Sequence, residues 1–188
     1  MRVLGVDPGL ARTGVAVVDG GPGRLHLVHA GCLETSAGSD GGARLAQLFA
    51  AVEALVAALQ PDAAAVEELF FATNRRSAMQ VSEARGVILC ALARAGVAVS
   101  AYTPMQVKEA VAGYGGATKP QVARMTRALL GPGVLAGPDD TSDACAVAVC
   151  HHHRRRLSAS VPQDGSRPRM ATPELAAAIE RARRSASA

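Results

Sequence analysis

The sequence predicts an α/β fold: a five-stranded mixed sheet, three antiparallel strands and then parallel ones, with helices on both faces. Three observations predict it. The chain opens with three short runs rich in Val and Leu, joined by glycine-bearing turns, which is the layout of an antiparallel meander. Two further apolar runs then alternate with stretches of helical period. Finally, 188 residues, 49% of them hydrophobic, suffice for one domain with a real core plus an appendage.

The first three strands are RVLGVD (2–7), TGVAVVDG (13–20) and RLHLVHAGCLET (24–35), with Gly20, Gly21, Pro22 and Gly23 turning into the third. The period then changes. Leu45, Leu48, Phe49, Val52, Leu55, Val56 and Leu59 fall at helical spacing, and Pro61 stops that helix. DAAAVEEL (62–69) is a brief apolar run, read as a fourth strand buried on both faces. A long helix from about Asn74 to Ala95 closes at Gly96, and VAVSAYTP (97–104) is the fifth strand. PMQVKEAVAG and TKPQVARMTRALLG predict two more helices, and a last one starts near Asp140 and runs through Arg156. Residues 1–156 are expected to form the domain, and 157–188 a basic tail without fixed structure.

The formal net charge of +4 divides unevenly. Residues 1–150 carry 12 Lys and Arg against 13 Asp and Glu, whereas 151–188 carry 8 against 3. The basicity belongs to the tail, so any nucleic-acid surface on the body must be a local patch. No apolar run approaches the roughly 20 residues of a membrane span, and Asp7 and Pro8 interrupt any basic-then-apolar leader. The expectation is a cytoplasmic protein without a membrane partner. Cys32, Cys90, Cys145 and Cys150 lie in apolar surroundings with no CxxC pair, and read as small core hydrophobes. Cys145, Cys150 and the run His151, His152, His153 make a poor zinc site, because consecutive histidines on a helix point in different directions.

The acids are more informative. Asp7 ends the first strand and Glu67 the fourth, while Asp140 and Asp143 stand at i and i+3 on the first turns of the last helix. Strands one and four can be neighbours in such a sheet, which would set Asp7 beside Glu67. A helix packed across that end would add its aspartates. Four carboxylates in one cleft repel one another unless cations compensate. Oxygen ligands of this kind suit magnesium or manganese, and two such ions about 3.5–4 Å apart serve phosphodiester hydrolysis. Each acid also has a plainer reading. Asp7 before Pro8 can start a turn, Glu67 and Glu68 can be solvated charges, and Asp140 with Asp143 fits a variant capping box.

GVDPGLARTG (5–14), AVEELF (65–70), QVKEAVAG (106–113) with GGATKPQV (115–122), and DDTSDACAVAVCH (139–151) resemble, in order and spacing, the successive motifs of the RuvC family of Holliday-junction resolvases. The likeness runs from about Arg2 to His153 and leaves the tail uncovered. It implies a ribonuclease H-like fold, a homodimer, and Mg²⁺-dependent paired nicking across four-way junction DNA in recombination and repair, leaving 5′-phosphate and 3′-hydroxyl ends. Carried over by motif, the metal-binding catalytic acids are Asp7, Glu67, Asp140 and Asp143, with spacing favouring Glu67 over Glu68 and Asp140 over Asp139. The resemblance further implies a pair of magnesium ions per site, replaceable by manganese, and coupling to the branch-migration proteins RuvA and RuvB.

DNA contacts are expected nearby. Phe70 reads as a stacking platform for an unpaired base and Phe71 as core. Asn74, Arg75 and Arg76 start the long helix, where backbone N–H groups hold phosphate well. Lys108 and Lys119 read as phosphate contacts or neutralisers of building charge. Tyr114, among Gly113, Gly115 and Gly116, marks a loop able to close over DNA. Ala78, Val81, Ala84, Ile88, Ala91 and Leu92 form a small-residue stripe that is either core or dimer contact. The competing functions are an actin-like ATPase or sugar kinase, a junction-binding module without catalysis, and hydrolysis of RNA–DNA hybrids.

Overall fold

The computed structural model describes residues 1–21, 24–68, 75–131 and 139–160. Its elements in chain order are β1 (Arg2–Asp7), β2 (Arg12–Gly21), β3 (Arg24–Glu34), α1 (Gly41–Leu59), β4 (Ala63–Glu67), α2 (Arg75–Arg94), β5 (Ala98–Tyr102), α3 (Pro104–Ala112), α4 (Lys119–Leu130) and α5 (Asp139–Ser160). One sheet holds the five strands in the order β3-β2-β1-β4-β5. The first three pair antiparallel, while β4 runs parallel to both β1 and β5. This is the mixed sheet that the meander followed by strand–helix alternation predicts.

Period-two alternation sorts the strand side chains into two cores. Leu4 and Val6 of β1, with Ala64 and Val66 of β4, pack under Leu48, Val52 and Val56 of α1 and Ala84, Ile88, Ala91 and Leu92 of α2. Val3 and Ala65 face the other way, against Val107 and Val111 of α3, Val122 of α4 and residues 146–150 of α5. Helices therefore cover both faces. Of the small-residue stripe on α2, Ala84, Ile88, Ala91 and Leu92 are all fully buried inside this chain. Those four are core, whereas Ala78 and Val81 of the same stripe are half-buried.

One contact sets the position of α5. A Cβ on Gly5 would lie 2.2 Å from the Ala144 carbonyl oxygen and 2.7 Å from the Ala148 nitrogen. Only a residue without a side chain lets the helix backbone come this near to the strand. The facing helix surface is correspondingly small, with Ala144, Cys145 and Ala148 fully buried.

Several expectations need correction. Cys145 and Cys150 are core residues, with thiol pKa values pushed up to about 12 by burial, but Cys32 is half-exposed and Cys90 exposed on the outer side of α2. The helix α1, of 19 residues, is long and apolar enough to cross a membrane by length and composition alone. Here it lays Leu48, Val52 and Val56 on the sheet. The last helix continues past Arg156 to Ser160. Residues 161–188 lie outside the described residues, as do Phe70, Phe71 and Asn74.

The three consecutive histidines each bond a different element. His151 Nδ1 is 3.0 Å from the Tyr102 hydroxyl on β5, His152 Nε2 is 3.0 Å from the Val18 carbonyl on β2, and His153 Nδ1 is 2.7 Å from the Ala110 carbonyl on α3. Successive helical side chains diverge by about 100°, so one run stitches three neighbours together.

Candidate active site

The parallel register of β1 and β4 runs from Val3 opposite Ala63 to Val6 opposite Val66. The next residue on each strand is an acid, so Asp7 and Glu67 end neighbouring strands side by side. Alternation also decides which way they point. Asp7 shares a face with Val3 and Gly5, and Glu67 shares one with Ala65. Both therefore turn toward α5, which Gly5 admits to close range at Ala144. Asp143 is the residue before Ala144. Its side chain is 27% exposed, against 63% for Lys119, whose Nζ lies 2.8 Å from Asp143 Oδ2.

Glu67, Lys108, Lys119 and Asp143 line one cleft of about 210 Å³, floored by Val107, Val122 and Ala146. The electrostatics follow from that crowding. Burial raises the Glu67 pKa above the ordinary carboxylate range, and the negative charge of Asp143 raises it further. A hydrogen bond with Asp7 and the positive charges of Lys119 and Lys108 pull it part of the way back. The carboxylates thus demand positive charge, and two ammonium groups already supply some of it.

Lys119 owes its place to the segment before it. It is the first residue of α4, after the N-cap Thr118. Gln121 Oε1 accepts hydrogen bonds from the Thr118 backbone nitrogen at 2.8 Å, the Thr118 hydroxyl at 2.9 Å and the Tyr114 hydroxyl at 2.9 Å. The preceding α3 ends at Gly113 with φ of 89°, a conformation that favours glycine. Tyr114 is therefore anchored to the start of α4 through Gln121. The Thr-x-x-Gln spacing of a capping box was the legible signal for this arrangement. Gly5 was legible too, as a glycine inside a strand.

Asp7, Glu67, Asp143, Lys108 and Lys119 are thus brought together. Asp140, Arg75 and Arg76 belong to described helices, but their side chains lie outside the described residues, as do Phe70 and Asn74 altogether. Among the described residues no group of three His, Cys, Asp or Glu side chains is arranged to hold a metal ion. The donor chemistry nonetheless suits a hard cation: Asp7, Glu67 and Asp143 offer only oxygen, and a cation would offset the burial and the Asp143 charge that raise the Glu67 pKa.

A sheet of this order with helices on both faces places the chain in the ribonuclease H-like class. Residues 3–151 match the family model of the crossover junction endodeoxyribonuclease RuvC. The chain is 50% identical to RuvC of Chloroflexus aurantiacus over 151 residues, 80% of this chain and 92% of that one. Against RuvC of Moorella thermoacetica the identity is 49% over 151 residues, 80% of this chain and 90% of the other. The fold matches Thermus thermophilus RuvC, solved in complex with Holliday junction substrate, at a TM-score of 0.79 and 38% identity, covering 84% of this chain and 96% of that one. The yeast mitochondrial Holliday junction resolvase shares the fold, with a TM-score of 0.60 at 14% identity over 85% of this chain and 84% of its own. This chain belongs to the RuvC family of crossover junction endodeoxyribonucleases.

Proposed function

We propose that Asp7, Glu67, Asp140 and Asp143 are the metal-binding catalytic acids of a magnesium-dependent endonuclease that nicks opposed strands of a four-way DNA junction. The observation that carries this reading is one cleft lined by Glu67, Asp143, Lys108 and Lys119, with Asp7 hydrogen-bonded to Glu67 at the neighbouring strand end. When bound, two divalent ions, magnesium or manganese, supply an activated water and neutralise the leaving oxygen. The protein's own part is positional. Asp7 and Glu67 would hold the ions from two strand ends, and Asp143 with Asp140 would hold them from the first turns of α5. Lys108 and Lys119 neutralise charge building on the phosphate. Cleavage leaves a 5′-phosphate and a 3′-hydroxyl.

The reading extends to a homodimer, because a two-fold junction cut twice suits a two-fold enzyme. The four inward residues of the α2 stripe are used up in the core, so a dimer contact on this helix would use its outer side, where Met79, Ser82, Gly86 and Cys90 are exposed. Family likeness supports RuvA and RuvB as partners, a cytoplasmic location, and DNA contacts by Phe70, Asn74, Arg75 and Arg76.

The test is a synthetic four-way junction, a linear duplex and an RNA–DNA hybrid, each incubated with the protein with and without EDTA. Paired nicks in the junction alone, lost in EDTA and in Asp7→Asn while junction binding persists, are expected. Equal cutting of duplex or hybrid would remove junction selectivity. Full activity in Asp7→Asn would remove the acids from the chemistry.

A further inference from the structure

We propose that Lys119 competes with a divalent cation for Asp143, so that metal loading of the cleft requires this lysine to let go. The proposal rests on the carboxylate reading above and adds a control on it. The ammonium of Lys119 lies 2.8 Å from Asp143 Oδ2, the distance of a charge-assisted hydrogen bond. An oxygen so engaged is shared or surrendered when a second cation arrives at the same carboxylate, because two positive charges a few ångströms apart in a partly dry cleft repel strongly.

Three features suit Lys119 to this exchange. It stands at the first position of α4, where the helix dipole disfavours a cation, so the carboxylate attraction offsets a local penalty. Its helix start is held by the bonds that converge on Gln121, which keeps the base of the side chain beside the cleft. Its side chain is 63% exposed, so solvent or a phosphate can reach the ammonium. Lys108 lines the same cleft and acts on Glu67, whereas the ion pair to Asp143 is made by Lys119. Lys119 holds the place of positive charge and yields it.

The experiment is Mn²⁺ titration by calorimetry on the full DNA-free chain, as wild type, Lys119→Met, Lys108→Met and Asp143→Asn, with melting curves in EDTA. Lys119→Met is expected to bind Mn²⁺ about 2- to 5-fold more tightly, the scale of a partly exposed ion pair. It should also melt lower in EDTA, where the carboxylates lose their nearest counter-ion, and that deficit should vanish in saturating Mn²⁺. A smaller gain is expected from Lys108→Met. Unchanged or weaker Mn²⁺ binding in Lys119→Met, with Asp143→Asn weakened, overturns the competition and leaves the carboxylate site standing. Wild-type affinity in Asp143→Asn overturns the site itself, and the competition with it.

Discussion

At the scale of single residues, Gly5 and Glu67 mark the two requirements of the cleft, close approach and repelling charge. Gly5→Ala puts a methyl group where the Ala144 carbonyl already stands, 2.2 Å away, and backbone cannot swing aside as a side chain can. The variant is expected to lose roughly 1–3 kcal/mol in urea unfolding, as overpacked cores do. Nicking should fall further than stability, because pushing α5 off β1 carries Asp143 away from Asp7. Glu67 makes the opposite prediction. Its folded pKa is raised, so the folded chain binds that proton more tightly than the unfolded chain does. Stability then falls as pH rises from the ordinary glutamate value through the raised one, and stays lower above it. Glu67→Gln is therefore expected to raise the melting temperature in EDTA at pH 8 by roughly 1–4 °C, with the gain shrinking toward pH 4. It should also reduce nicking at least about 100-fold. A variant that melts lower at pH 8 would contradict the electrostatic account.

At the scale of elements, α5 does two jobs at its two ends. Its start brings Asp143 to the cleft, and its far half is tied to β5, β2 and α3 through His151, His152 and His153. Burial lowers the pKa of His151, with further lowering from His152 and Arg155. Burial likewise lowers that of His152, although its bond to the Val18 carbonyl opposes the shift. For a base the sign is reversed relative to Glu67: the unfolded chain takes up the proton first. Stability is complete above the ordinary histidine value of 6.5 and drains away as pH falls from there toward the lowered folded values. Melting curves between pH 7.5 and 5 should show this loss, and His152→Asn should flatten it while lowering the melting temperature at pH 7.5. An unchanged slope would mean that other groups govern the acid limb.

At the scale of the whole molecule, charge and catalysis are separated along the chain. Beyond Ser160 lie five arginines against three acids, none within the matched 3–151. A chain ending at Ser160 is expected to nick junctions at a rate close to that of the full chain, and to bind them roughly 3- to 10-fold more weakly near 0.15 M salt. Its plot of log affinity against log salt should also be shallower, since fewer phosphate contacts release fewer counter-ions. Loss of nicking under saturating junction would assign the tail a part in the chemistry instead.

Sequence alone determined the identity and order of the elements, because helix and strand periods are written within windows of ten or so residues. It also determined which acids end strands, and the motif order of the family. Asp7 and Glu67 were legible as a pair because both sit one residue past an apolar run. What only the tertiary structure decided were the long-range choices. β1 lies next to β4 rather than β5, α2 buries Ala84, Ile88, Ala91 and Leu92, Cys90 faces out, and Lys119 reaches Asp143. Each depends on the shape of a distant partner surface, which no local period encodes. Gly5 joins the two levels: its missing side chain is visible in the strand, but the helix backbone it makes room for comes from the far end of the domain.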